Sequence, residues 1–132
     1  MWKLINIANI QDKTGAIHIA ESGKHFNFKA ERFFYLSHIG KGETRGDHAH
    51  LELNQFITCV AGCFDIELDD GHNKEIIHMS SNGQSLFVDG LVWRKMTNFS
   101  SDAVMLVLCD KVYAEDTVLR NYDEFLMKVK RK

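Results

Sequence analysis

Proline is absent from this 132-residue chain, so Gly, Asn, Asp and Ser must make its turns. Cysteine is scarce. Cys59, Cys63 and Cys109 are an odd set with no Cys-x-x-Cys pair, which excludes a paired disulfide framework and the common zinc motifs. All three lie in apolar, strand-like runs and read as buried free thiols, which suits a reducing compartment. Charge of one sign is also lacking: 16 Lys and Arg stand against 18 Asp and Glu, for a net charge of −2. That balance argues against nucleic acid or a membrane surface as the main partner. The basic end, Lys128, Lys130, Arg131 and Lys132, reads as the solvated end of a helix, where positive charge suits the dipole. No apolar run is long enough to span a bilayer. The opening Met1-Trp2-Lys3-Leu4-Ile5-Asn6 lacks the apolar core and cleavage site of a secretion signal. A cytoplasmic protein is expected.

What is present fits one domain over residues 1–132. Hydrophobic residues make up 45% and charged residues 26%, ordinary values for a globular protein whose core needs no staple. Short strand-like runs follow one another between turn clusters: 32–39, 54–61, 64–68, 75–79, 85–88, 91–96 and 103–109. Phe64, Ile66 and Leu68 alternate with Asp65, Glu67 and Asp69, the period of a half-buried strand. Asp69-Asp70-Gly71-His72-Asn73 reads as a hairpin turn. The run 103–109 is apolar throughout and should be central. Then the period changes: Tyr122, Phe125, Leu126 and Val129 share one helical face. The pattern predicts an all-β fold, a sandwich or barrel, with a short C-terminal α-helix.

Within it, Arg45-Gly46-Asp47-His48-Ala49-His50 stands out. Residues two apart on a strand share a face, so His48 and His50 point the same way beside Arg45. Gly42 precedes His48 by six positions; Gln55 and Gly62 follow His50 by five and twelve. This spacing resembles the first motif of the cupin superfamily, where two histidines and a glutamate bind a metal, and it implies a cupin-type jelly-roll β-barrel. Gln55 stands at the glutamate position. Gly83, Asp89, Leu91, Arg94 and Asn98 fall on the second motif, with Arg94 in place of its histidine. An amide oxygen replaces a carboxylate, and a cation without a lone pair replaces an imidazole. No metal and no other cofactor are expected. The histidines are left for proton transfer near neutral pH.

Beyond the general motif, the chain resembles the sugar 3,4-ketoisomerases acting on dTDP-4-keto-6-deoxyglucose. The resemblance rests on residues 45–50, Leu53-Asn54-Gln55, Leu68-Asp69-Asp70-Gly71, Val92-Trp93-Arg94, and the ending from Val118 to Leu126. It implies a metal-free cupin homodimer that makes a dTDP-3-keto-6-deoxyhexose on the way to 3-amino-3,6-dideoxy sugars of surface glycans such as O-antigens and S-layers. His48 and His50 would carry the proton transfers, with His48 the first choice as base at C3. Tyr35 would be a hydroxyl donor near the sugar. Arg32, Arg45 and Arg94 would meet pyrophosphate or keto oxygens, Gln55 would bond the sugar or hold a histidine, and Trp93 would pack on the nucleotide base. One departure is Asp12-Lys13-Thr14-Gly15, where the family shows Asp-x-Arg-Gly; it leaves the configuration at C4 of the product open. Three rival readings are a dTDP-4-keto-sugar 3,5-epimerase, a non-catalytic nucleotide-sugar-binding cupin and a metal-dependent cupin such as a dioxygenase.

Overall fold

A computed structural model describes residues 1–131. Twelve strands precede one helix: β1 (Trp2–Ile5), β2 (Ala8–Asp12), β3 (Gly15–Ile19), β4 (Arg32–Leu36), β5 (Arg45–His50), β6 (Gln55–Ala61), β7 (Cys63–Asp69), β8 (Lys74–Ser80), β9 (Ser85–Val88), β10 (Trp93–Thr97), β11 (Val104–Cys109), β12 (Val118–Leu119) and α1 (Tyr122–Lys130). They pair into two five-stranded antiparallel sheets, β1-β9-β6-β11-β4 and β12-β5-β10-β7-β8, with β2 and β3 as a separate hairpin. The expected strands after residue 31 are all present. The run 103–109 is flanked on both sides by partners, β6 and β4. The three N-terminal strands and the two-residue β12 carry too little alternation to be read from sequence.

The main core lies between the sheets. Ile57, Leu86 and Val107 from the first sheet pack with Phe64, Ile66 and Leu68 from the second. Each such side chain contributes roughly 1.5–3 kcal/mol on burial. The predicted face of α1 closes over the outer side of the second sheet, where a fully buried Phe125 meets Ala49, Leu91 and Trp93. Asn121 caps the helix by accepting from the Glu124 N–H at 3.0 Å, satisfying one of its orphan donors. Lys128 and Lys130 fall in the last turn, where positive charge favours the helix dipole.

Side chains bridge both seams between the sheets. At one seam, Trp2 Nε1 donates to Glu75 Oε1 at 2.7 Å. At the other, Arg32 Nη2 donates to Asp116 Oδ2 at 3.1 Å. The second seam opens onto the histidines.

Candidate active site

Strand register builds the site from two facing rows. In the first sheet Arg32 pairs with Cys109, and Cys109 pairs with Gln55. In the second, His48 pairs with Arg94, and His50 pairs with Val118. The rows meet where Arg94 Nη1 donates to Gln55 Oε1. The same guanidinium donates from Nη2 to the Val92 carbonyl at 2.9 Å. Arg94 is buried, and burial lowers its pKa to about 10.

Arg45 reaches this face through a bulge. It lies three positions before His48, so strict alternation would turn it to the opposite side. Register slips between Arg94 and Lys95, leaving Asp47 without a partner on β10. Gly46 and Asp47 both take left-handed backbone angles, φ 78° and 59°. The extra residue resets the alternation, and Arg45 pairs with Met96 on the pocket side. Glycine is required at 46 twice over. A Cβ there would stand 3.0 Å from Met96 Cε and 3.1 Å from the Arg94 carbonyl oxygen.

The result is a cavity of about 650 Å³ lined by both polar and apolar side chains. Arg32, Arg45, Arg94 and Arg120 line it with His48, His50, Gln55 and Asp116; Phe34, Ile57 and Met105 are among its apolar surfaces. Four guanidiniums against one carboxylate give a site suited to phosphate oxygens or a developing oxyanion.

The imidazoles touch each other, Nε2 to Nε2, at 3.2 Å. His50 Nδ1 lies 2.8 Å from Asp116 Oδ1. Burial, then the Arg94 charge, lowers the His50 pKa to about 4. Burial also holds His48 below its ordinary value; the nearby Gly46 carbonyl works the other way, while Arg94 and Arg120 add to the depression. Burial opposes ionisation of Asp116, but hydrogen bonds from His50 and Arg32 outweigh it and hold its pKa low. At neutral pH the site therefore holds two neutral imidazoles and a carboxylate.

Six of the eight residues anticipated from sequence come together here: Arg32, Arg45, His48, His50, Gln55 and Arg94. Two do not. Arg32, Phe34 and Leu36 face the cavity, so alternation turns Tyr35 outward, where it is 60% exposed. Trp93, next to the inward Arg94, points to the other side of its sheet. It packs edge-on against Tyr122 at 5.3 Å between ring centroids and donates to Asp47 Oδ1 at 3.2 Å. Asp116, Arg120 and Tyr113 are pocket residues with no role anticipated from sequence. Tyr113 opens a single 3₁₀ turn, Tyr113–Glu115, after β11, and Asp116 follows it, with no periodicity to place either.

Fold and site together define a β protein whose cavity sets two touching histidines among four arginines. The chain belongs to the FdtA family, whose model, described as "FdtA: WxcM-like, C-terminal", matches residues 1–130. It is 37% identical over 123 residues to a TDP-4-oxo-6-deoxy-α-D-glucose-3,4-oxoisomerase of Aneurinibacillus thermoaerophilus, covering 93% of this chain and 88% of that one. Among solved structures it is similar to a sugar 3,4-ketoisomerase from Thermoanaerobacterium thermosaccharolyticum in complex with TDP. That match has a TM-score of 0.93 at 32% identity and covers 98% of this chain and 95% of the other. A 3,4-ketoisomerase from Helicobacter canadensis matches with a TM-score of 0.92 at 35% identity, covering 98% and 97%. A 4-keto-6-deoxy sugar epimerase from Streptomyces spheroides is 12% identical with a TM-score of 0.71, covering 86% of this chain and 70% of that one, a likeness of fold alone.

Proposed function

We propose that this protein is a 3,4-ketoisomerase acting on a dTDP-linked 4-keto-6-deoxyglucose. The observation that carries this reading is the His48–His50 contact at 3.2 Å inside a cavity walled by four arginines. Moving the ketone from C4 to C3 needs a base for the C3 hydrogen, which the adjacent carbonyl acidifies. It needs proton return to C4, and a proton passed from O3 to O4 through the enediolate. Two neutral imidazoles can take and return these protons. Arg45, Arg94 and Arg120 would hold pyrophosphate and the developing oxyanion, and Gln55 would keep Arg94 in place. A binding module has no use for paired titratable rings, which disfavours the non-catalytic alternative.

The donor set does not fit a divalent metal. Of the four cupin ligand positions, Gln55 has its oxygen engaged by Arg94, and Arg94 itself is a cation. We therefore read the chemistry as metal-independent. The two facing sheets suit a jelly-roll barrel forming one domain over residues 1–132. The free thiols Cys59, Cys63 and Cys109 suit the cytoplasm; among the described residues no helix is long and apolar enough to cross a membrane. The exposed Phe33 and Tyr35 of β4 and the paired Ile10 and Ile17 of the β2–β3 hairpin are the surface we assign to a homodimer. The product would serve synthesis of 3-amino-3,6-dideoxy sugars of surface glycans.

The test is incubation with dTDP-4-keto-6-deoxyglucose in deuterated water, followed by NMR. A 3-keto product carrying deuterium at C4 is expected. Exchange at C5 with the ketone left in place would indicate an epimerase. No turnover, with His48→Asn and His50→Asn indistinguishable from wild type, would refute the assignment.

A further inference from the structure

Cys109 stands fully buried behind the cavity, and the proton transfers make no call on it. Strand register sets it between Arg32 of β4 and Gln55 of β6, and directly opposed residues share a face of the sheet. The neighbouring positions pin that register. Asn54 donates to Asp110 twice, from its backbone N–H to Oδ1 at 3.0 Å and from Nδ2 to Oδ2 at 2.7 Å. The Asp110 N–H donates back to the Asn54 carbonyl at 3.2 Å. Beside this clamp, Gln55 Nε2 donates to Cys109 Sγ at 3.5 Å. Gln55 is itself buried, so both ends of its amide need partners. Arg94 can only donate, which commits Oε1 to it. Nε2 then meets the thiol, whose sulfur serves as its acceptor. Turned over, the amide would set its NH2 against the guanidinium, donor against donor.

We propose that Cys109 is a positioning residue for the reaction: its sulfur holds the Gln55 amide, and the amide aims the Arg94 guanidinium at the substrate. This rests on the ketoisomerase reading. Gln55 holds Nη1 of Arg94 and the Val92 carbonyl holds Nη2, two anchors that fix the plane of the planar fork. Nε is buried and without a partner among the described residues, a donor left for the enediolate oxygen. Without an acceptor at position 109, the NH2 of Gln55 would be unpaired in the interior, which is costly. The amide would turn toward another partner, and Arg94 would lose its first anchor. Stabilisation of developing charge depends on donors placed in advance, so the loss falls on the transition state more than on the bound substrate.

Serine and valine separate this role from packing. Cys109→Ser keeps an acceptor at Oγ in a smaller side chain, whereas Cys109→Val fills the space with nothing that accepts. The readouts are steady-state kinetics and ¹H–¹⁵N NMR of the Gln55 side-chain amide in substrate-free enzyme. Expected are a kcat of C109S within about threefold of wild type and a kcat of C109V lowered at least about tenfold, with KM changed less than about threefold. The Gln55 NH2 resonances should lose their protection from exchange in C109V and keep it in C109S. C109V with wild-type kcat or unaltered Gln55 resonances, or C109S as impaired as C109V, would overturn the proposal. Should C109V fail to fold, Cys109→Ala replaces it with the same expectations. The NMR comparison needs no substrate, so an enzyme inactive on the keto sugar would count against the ketoisomerase reading while the hold of Cys109 on Gln55 is judged separately.

Discussion

Replacing Gly46 with alanine should damage the site by a calculable route. The left-handed backbone at φ 78° costs an L-residue about 1–2 kcal/mol. The new Cβ also lands 3.0 Å from Met96 Cε and 3.1 Å from the Arg94 carbonyl oxygen. The methionine terminus can swing away. The carbonyl cannot, because it belongs to the strand that pairs with His48. Forcing an extra carbon into packed surroundings typically adds about 1–3 kcal/mol, so Gly46→Ala should cost roughly 2–5 kcal/mol in total. Gly42 is the control: its φ is 79°, yet nothing lies within 4 Å of its added Cβ. Gly42→Ala should lose only the backbone contribution, about 1–2 kcal/mol. Urea unfolding of both variants measures the difference. The displacement of Arg94 and Arg45 should also lower kcat/KM of G46A at least about tenfold, with G42A near wild type. Equal stability losses in the two variants, or full activity in G46A, would refute the account of the bulge.

Acid should unfold the protein partly through His50. Its folded pKa of about 4 lies below the ordinary 6.5, so the unfolded chain binds the proton more readily. The stabilisation from the neutral ring, roughly 3 kcal/mol by linkage, is fully present above pH 6.5 and lost as pH falls toward 4. Urea midpoints across that window should fall in the wild type and flatten in His50→Gln; parallel slopes would contradict it. Phe125→Ala, at a fully buried position under α1, should cost about 3–5 kcal/mol, read by thermal or urea unfolding; a loss below 1 kcal/mol would show that the helix does not pack as described. Isotope incorporation should depend on both histidines: His48→Asn and His50→Asn are each expected to lower the rate at which deuterium appears at C4 of the 3-keto product at least about tenfold. A wild-type rate in either variant would contradict its part in proton transfer.

Alternation was the legible part of this chain. It located the later strands, the helix face over Phe125 and the shared face of His48 and His50, because each rests on a period of two or 3.6 residues. Features that break the period were hidden. The bulge at Asp47 needs knowledge of which β10 residues lie opposite, and that decides whether Arg45 faces the cavity at all. Tyr35 and Trp93 carry the right chemistry, but each sits one position from an inward residue and so faces away. Asp116 is invisible locally: it lies 66 residues from His50 in a segment with no repeat, and only the closing of the β4–β12 seam brings it to the ring.

The same geometry explains why the site holds a charge it does not neutralise. Arg94 is buried, and its hydrogen bonds go to a neutral amide and a carbonyl. Asp116, the pocket carboxylate, is committed to Arg32 and His50. A guanidinium in this setting bears a desolvation cost that no contacting carboxylate offsets. Its field also depresses both histidines, weakening them as bases. A negative charge appearing on the substrate changes both effects in the same direction: it gives Arg94 a counter-charge and relieves the histidines of the positive field. The pocket is thus poorly matched to itself and better matched to an enediolate, which is the condition for stabilising a transition state more than a ground state. A carboxylate at position 55 would neutralise Arg94 in advance and remove that difference, which gives the glutamine a physical reason for standing where a metal-binding cupin has glutamate.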